Sequence, residues 1–101
     1  MRGEWKLRDW EEEYWLRKME SYIQTLFRGK NKINLTQEDI NPYQVRQILE
    51  ELGWEQNDDT ETNGWEQDMW MHFSSPHYPY RLIVFSCGMT FQLEIYLEDD
   101  V

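Results

Sequence analysis

The chain has 101 residues with 20 acidic and 10 basic side chains, six Trp, six Tyr, four Phe, a single Cys and no Ala, for a formal charge of −10. A chain this long forms one domain that buries roughly 60 to 68% of its unfolded surface, enough for one core but not for a core plus an enclosed large cofactor. One cysteine, Cys87, excludes an internal disulfide framework and points to a reducing, cytoplasmic setting. Residues 1–9 carry no apolar run of the signal-peptide kind, and no segment reaches the roughly 18 apolar residues of a membrane span.

From Glu4 to Arg28 no Pro or Gly interrupts the chain, and Trp15, Met19, Tyr22, Ile23 and Leu26 recur at helical spacing, which predicts a long amphipathic helix over 4–28. Leu7, Trp10 and Tyr14 extend this stripe backwards, and Gly29 suits the C-cap. Trp5, Trp10 and Trp15 step by about 140° around the axis each time, so at least one faces away from the core.

A second helix is predicted over 42–52. Asn41 is its N-cap, Pro42 its first residue, Gln44 the third residue of a capping box, and Ile40 against Val45 the hydrophobic staple. Val45, Ile48, Leu49 and Leu52 form one face, and Gly53 followed by Trp54 suits a Schellman ending. The segment 35–39 reads as a turn of helix or a loop.

After Gly53 the hydrophobic period changes from 3.6 to 2, which predicts an antiparallel sheet over 54–98. Residues 54–56 pair back with 65–74 across the polar loop that ends in Asn63-Gly64. The Pro-bounded segment 75–79 breaks the chain, and residues 80–87 form the next strand. Gly88 turns into a final strand over 89–98, with Met89, Phe91, Leu93, Ile95 and Leu97 on the core face. The whole chain therefore reads as a single α+β domain, residues 1–101, with two N-terminal helices packed on a C-terminal antiparallel meander of three to four strands.

The strand Arg81-Leu82-Ile83-Val84-Phe85-Ser86 is apolar on both faces. Either the helices cover it from both sides, or both stack on one side and leave an outer face with Trp70, His72 and Tyr96 around an apolar centre, rimmed by Glu66, Asp68, Glu94 and Glu98. The second arrangement is favoured, because consecutive elements stay neighbours and short α+β domains segregate helices to one side.

Charge is split along the chain: residues 1–50 are neutral in sum, whereas residues 51–101 carry eleven acids and only Arg81 as a base. Phosphate binding needs Lys and Arg, so direct nucleic-acid binding is disfavoured and a basic protein surface is the better partner. Solubility alone also explains many acidic side chains.

Catalytic chemistry finds little support. Cys87 has no neighbouring base in sequence, while His72 reads as a sheet-surface residue and His77 as part of a turn. The spacing of these three matches no zinc pattern, and no other cofactor motif is present. The loop 59–64 starts like a calcium-binding loop, with oxygens at alternating positions and Gly at the sixth, but its twelfth position is Trp70, so it supports at most weak cation binding.

The sequence thus favours a non-enzymatic, small acidic inhibitor or immunity-type protein that docks a carboxylate-rich surface on a basic site of a partner, such as that of a nucleic-acid-handling enzyme. Asp58, Asp59, Glu61, Glu66, Asp68, Glu94, Glu98, Asp99 and Asp100 would stand where phosphates bind, with Trp70 and Tyr96 as anchors. The alternative is a structural homodimer or assembly subunit that buries the sheet face or the first-helix Trp residues against a copy of itself.

Overall fold

The computed structural model describes residues 9–57, 60–64 and 67–99. The fold is α+β: helices α1 (Asp9–Phe27) and α2 (Pro42–Glu51), with strands β1 (Ile33–Thr36), β2 (Glu55–Gln56), β3 (Glu61–Asn63), β4 (Asp68–Ser75), β5 (Tyr78–Cys87) and β6 (Gln92–Asp99). The strands form one antiparallel sheet in the order β1-β6-β5-β4, and β2 and β3 both pair with the free side of β4.

Six strands replace the expected three to four, and β1 lies between the helices, so the helices do not both precede the sheet. The segment read as loop or helical turn begins inside β1, where Ile33 pairs with Ile95 and Leu35 with Leu93. Four residues of which only Ile33 is buried give too short an alternation to stand out without the partner strand.

Helix α2 follows its sequence signals closely. The Asn41 Oδ1 accepts from the Gln44 backbone N–H at 2.9 Å, and the Gln44 Oε1 accepts from the Asn41 N–H at 3.0 Å, completing the capping box. At the other end Gly53, at φ +97°, donates to the Glu50 carbonyl, and Trp54 N–H donates to the Leu49 carbonyl at 2.9 Å. That is the Schellman pair, and it drives Trp54 into the core. Helix α1 closes the same way through Gly29, with Lys30 N–H bonded to the Thr25 carbonyl.

Both helices lie on one side of the sheet. Trp15, Met19, Ile23 and Leu26 of α1 and Val45, Ile48 and Leu49 of α2 share a single core with Met71 and Phe73 of β4, Leu82 and Val84 of β5, Leu93 and Ile95 of β6, and Ile33 of β1. Residues of the opposite strand parity are absent from that core, which confirms the one-sided arrangement of helices.

Four local expectations are corrected. Trp10 and Tyr14 do not extend the core stripe of α1: both are exposed, because they lie well over 100° around the helix from the stripe's centre. The final strand begins at Gln92 instead of residue 89, and Met89 and Phe91 stand exposed in the turn. The left-handed residue of that turn is Phe91, at φ +56°, whereas Gly88 keeps a negative φ; the Gln37 N–H anchors the Phe91 carbonyl at 2.8 Å and holds this conformation. Pro79 lies inside β5 and not in a break, and the reversal between β4 and β5 is confined to Pro76 and His77.

Candidate functional site: the outer face of the sheet

Strand alternation builds this face. Residues that point away from the helices are Trp70, His72 and Ser74 on β4, Arg81, Ile83 and Phe85 on β5, and Glu94, Tyr96 and Glu98 on β6. The register sets them in cross-strand rows: His72–Ile83–Tyr96, Trp70–Phe85–Glu94 and Ser74–Arg81–Glu98. Glu61 of β3 sits directly beside Trp70.

The centre of the face is sealed by its own side chains. Ile83 is only 1% exposed yet stands outside the core beneath the helices. His72 and Tyr96 flank it on either side, and the Trp70 and Phe85 rings pack at 4.8 Å between centroids in the adjacent row. Such a flat aromatic centre, half-buried at its edges, offers rigid apolar area at low entropic cost.

Carboxylates surround this centre. Burial first, and then the charges of Glu98, Glu94 and Glu61, push the Tyr96 phenol above its usual range. All three carboxylates are therefore close enough to be felt at one hydroxyl, which makes the field over Tyr96 negative. Lys32, next to β1, partly offsets it through a 3.0 Å pair with Glu94. On the opposite flank the buried His72 Nε2 lies 3.4 Å from an exposed Glu61 carboxylate oxygen, beyond a good hydrogen bond, and among the described residues neither ring nitrogen has a hydrogen-bond partner.

Of the residues expected at the site, Glu61, Trp70, Glu94, Tyr96 and Glu98 come together here, with Asp68 at the end of β4 on the same parity. Asp99 does not join them. It has the opposite parity and lines a hollow with Phe27, Tyr80 and Leu97. Asp58, Asp59, Glu66 and Asp100 lie outside the described residues, as does part of the 59–64 loop considered for cation binding. His72 stands on this face, as its parity predicts, and the apolar centre expected there is supplied by Ile83 and Phe85 of β5, which reading for charge did not single out.

Among the described residues, no group of three His, Cys, Asp or Glu side chains is placed to hold a metal ion. Cys87 is a half-buried thiol at the end of β5, its carbonyl accepting from the Gln37 side chain at 3.2 Å. No helix among the described residues is long and apolar enough to cross a membrane. No family model, curated protein or solved structure matches the chain.

Proposed function

We propose that this chain is a protein-binding module of the inhibitor or immunity type, which places the outer face of its sheet on a basic site of a partner protein. The observation that carries this reading is the arrangement around Tyr96: a pre-packed aromatic centre of Trp70, Phe85 and Tyr96 inside an arc of Glu61, Glu94 and Glu98. Aromatic anchors at the centre with charge at the rim are the composition of an energetically focused interface. The carboxylates would take the place of phosphates at a Lys- and Arg-rich site, steering encounter and fixing register, while Trp70 and Tyr96 supply the desolvated contact. Because the face is already sealed over Ile83, docking needs little rearrangement of this side, and preorganisation lowers the cost of binding.

The test is capture from lysate of the source cell with the wild-type chain and with the double variant Glu61→Lys/Glu98→Lys, eluted in rising salt. Both positions are exposed, so the variant keeps the fold. Support is a basic protein retained by the wild type, released between about 0.1 and 0.5 M salt as the Debye length falls from about 10 Å to about 4 Å, and lost from the variant. Equal retention by both chains overturns the reading.

A further inference from the structure

Helix α1 has a second face that the core does not use. Among the described residues, Trp10 is 68% and Tyr14 51% exposed, and the Arg17 and Glu13 side chains are 79% and 67% exposed. At roughly 100° per residue, Trp10, Tyr14, Arg17 and Ser21 fall within about 60° of one another, diametrically opposite the stripe of Met19 and Ile23. Glu13 and Lys18 stand about 70° to either side of its centre. A broad hollow of about 540 Å³ lies along this face, lined by these six residues.

We infer that this face binds the same face of a second copy of the chain, the two α1 helices running antiparallel about a two-fold axis. The sequence is self-complementary about a point between Trp15 and Leu16. Reversing the helix there brings Trp10 opposite Ser21 of the other copy, the largest side chain of the stripe against its smallest. In such a pair each flank meets the same flank of its copy. On one flank Glu13 then meets the other copy's Arg17, and on the other flank Tyr14 meets the other copy's Lys18.

Within one helix those chemistries are already matched. Arg17 holds Glu13 at 2.8 Å, and the Lys18 ammonium sits 5.4 Å from the centre of the Tyr14 ring. Dimerisation therefore turns one ion pair into an alternating square of two Glu and two Arg, and one cation–π contact into two that interleave with their copies. A parallel pairing breaks the match, since it sets each flank against the opposite flank of the copy, takes Glu13 away from the other copy's Arg17, and leaves the near-central Arg17 level with its own copy. A single helix against its copy buries less than the roughly 800 Å² per partner of a standard interface, so the dimer is weak and concentration-dependent. The interface is distinct from the outer sheet face and leaves that face free.

The experiment is sedimentation equilibrium of the full chain over a wide concentration range, with far-UV circular dichroism to show that each variant is folded. The wild type is expected to pass from monomer to dimer as concentration rises. Glu13→Arg sets two Arg against each Arg17 neighbour, and Arg17→Glu sets two Glu against each other, so each variant alone is expected to dimerise at least about tenfold more weakly. Mixed in equal amounts, the two variants restore both facing pairs and re-form a dimer, as does the double variant Glu13→Arg/Arg17→Glu alone. A wild type that stays monomeric throughout, single variants that dimerise as the wild type does, or folded variants that fail to associate on mixing would each overturn the proposal.

Discussion

The two faces of the sheet come from the same strands and the same alternation, yet they are finished in different ways. On the inner face Phe73, Leu82, Val84, Leu93 and Ile95 are fully buried under α1 and α2, and the packing is almost wholly aliphatic apart from Phe73 and the helix-side Trp15 and Trp54. Among the described residues of the outer face only Ile83 and His72 reach comparable burial, and they do so beneath neighbouring side chains of the sheet itself. The difference shows that an apolar strand such as β5 need not be sandwiched between layers. A row of aromatics can close one side while leaving its upper surface available.

Substitutions separate the two faces. The largest effect is expected for Phe73→Ala, which opens a cavity in the inner core and costs about 3 to 5 kcal/mol by urea unfolding, enough to unfold much of a domain this size. Ile83→Ala removes an equally buried side chain from the outer face, where His72 and Tyr96 can settle inward, so a cost of about 2 kcal/mol is expected. An Ile83→Ala cost matching that of Phe73→Ala would show that the outer face is a second core, and the contrast would fail. Asn41→Ala removes a cap from the helix that covers only the inner face. It should lower the melting temperature in line with about 1 kcal/mol and leave the near-UV signal of Trp70 and Tyr96 unchanged.

The smallest effect concerns the seam between the helices. Glu12 of α1 accepts from the Gln47 side chain at 2.9 Å and shares a proton with Glu51 of α2. The hydrogen bond to Glu12, then burial and the Glu12 charge, push Glu51 from an ordinary 4.5 up to about 7, while the bonds from Glu51 and Gln47 hold Glu12 below its usual range. Because the folded pKa of Glu51 is raised, its stabilisation is complete below about pH 4.5 and is lost as the pH climbs through 7. Glu12 runs the other way, its share lost as the pH falls below the ordinary carboxylate value. Glu51→Gln should abolish the decline between about pH 5 and pH 8, a change of a few tenths of a kcal/mol at most because both groups are largely solvated.

What could be read in the sequence follows from how local each signal is. Helix α2 was legible to within one residue, starting at Pro42 as expected and ending at Glu51 with Leu52 as its C-cap instead of its last turn, because its N-terminal cap is made by side chains within four positions of the backbone groups they satisfy. The outer face was legible from parity, which put Trp70, Tyr96, Glu94 and Glu98 together. Parity equally separates Asp99 from them, but counting charges ignored it. Trp10 and Tyr14 misled because they keep helical spacing to one another while standing on the wrong side of Trp15. Met89 and Phe91 misled because alternation with Leu93 carries no mark of where a strand stops. Strand β1 was missed because its partner lies near the other end of the chain.

That last pairing sets an order of assembly. Joining Ile33–Thr36 to Gln92–Ile95 closes a loop of about 60 residues, an entropic cost of roughly 3.6 kcal/mol plus a constant, whereas the β5–β6 hairpin closes over four. The hairpin can therefore form early and template β1 late, with the Lys32–Glu94 pair fastening the closure. Until β1 arrives, β6 presents an open row of backbone donors and acceptors along its whole length to any passing strand; once β1 is in place, the first half of that row is paired and the edge there is a strand of only four residues, too short to template another chain well.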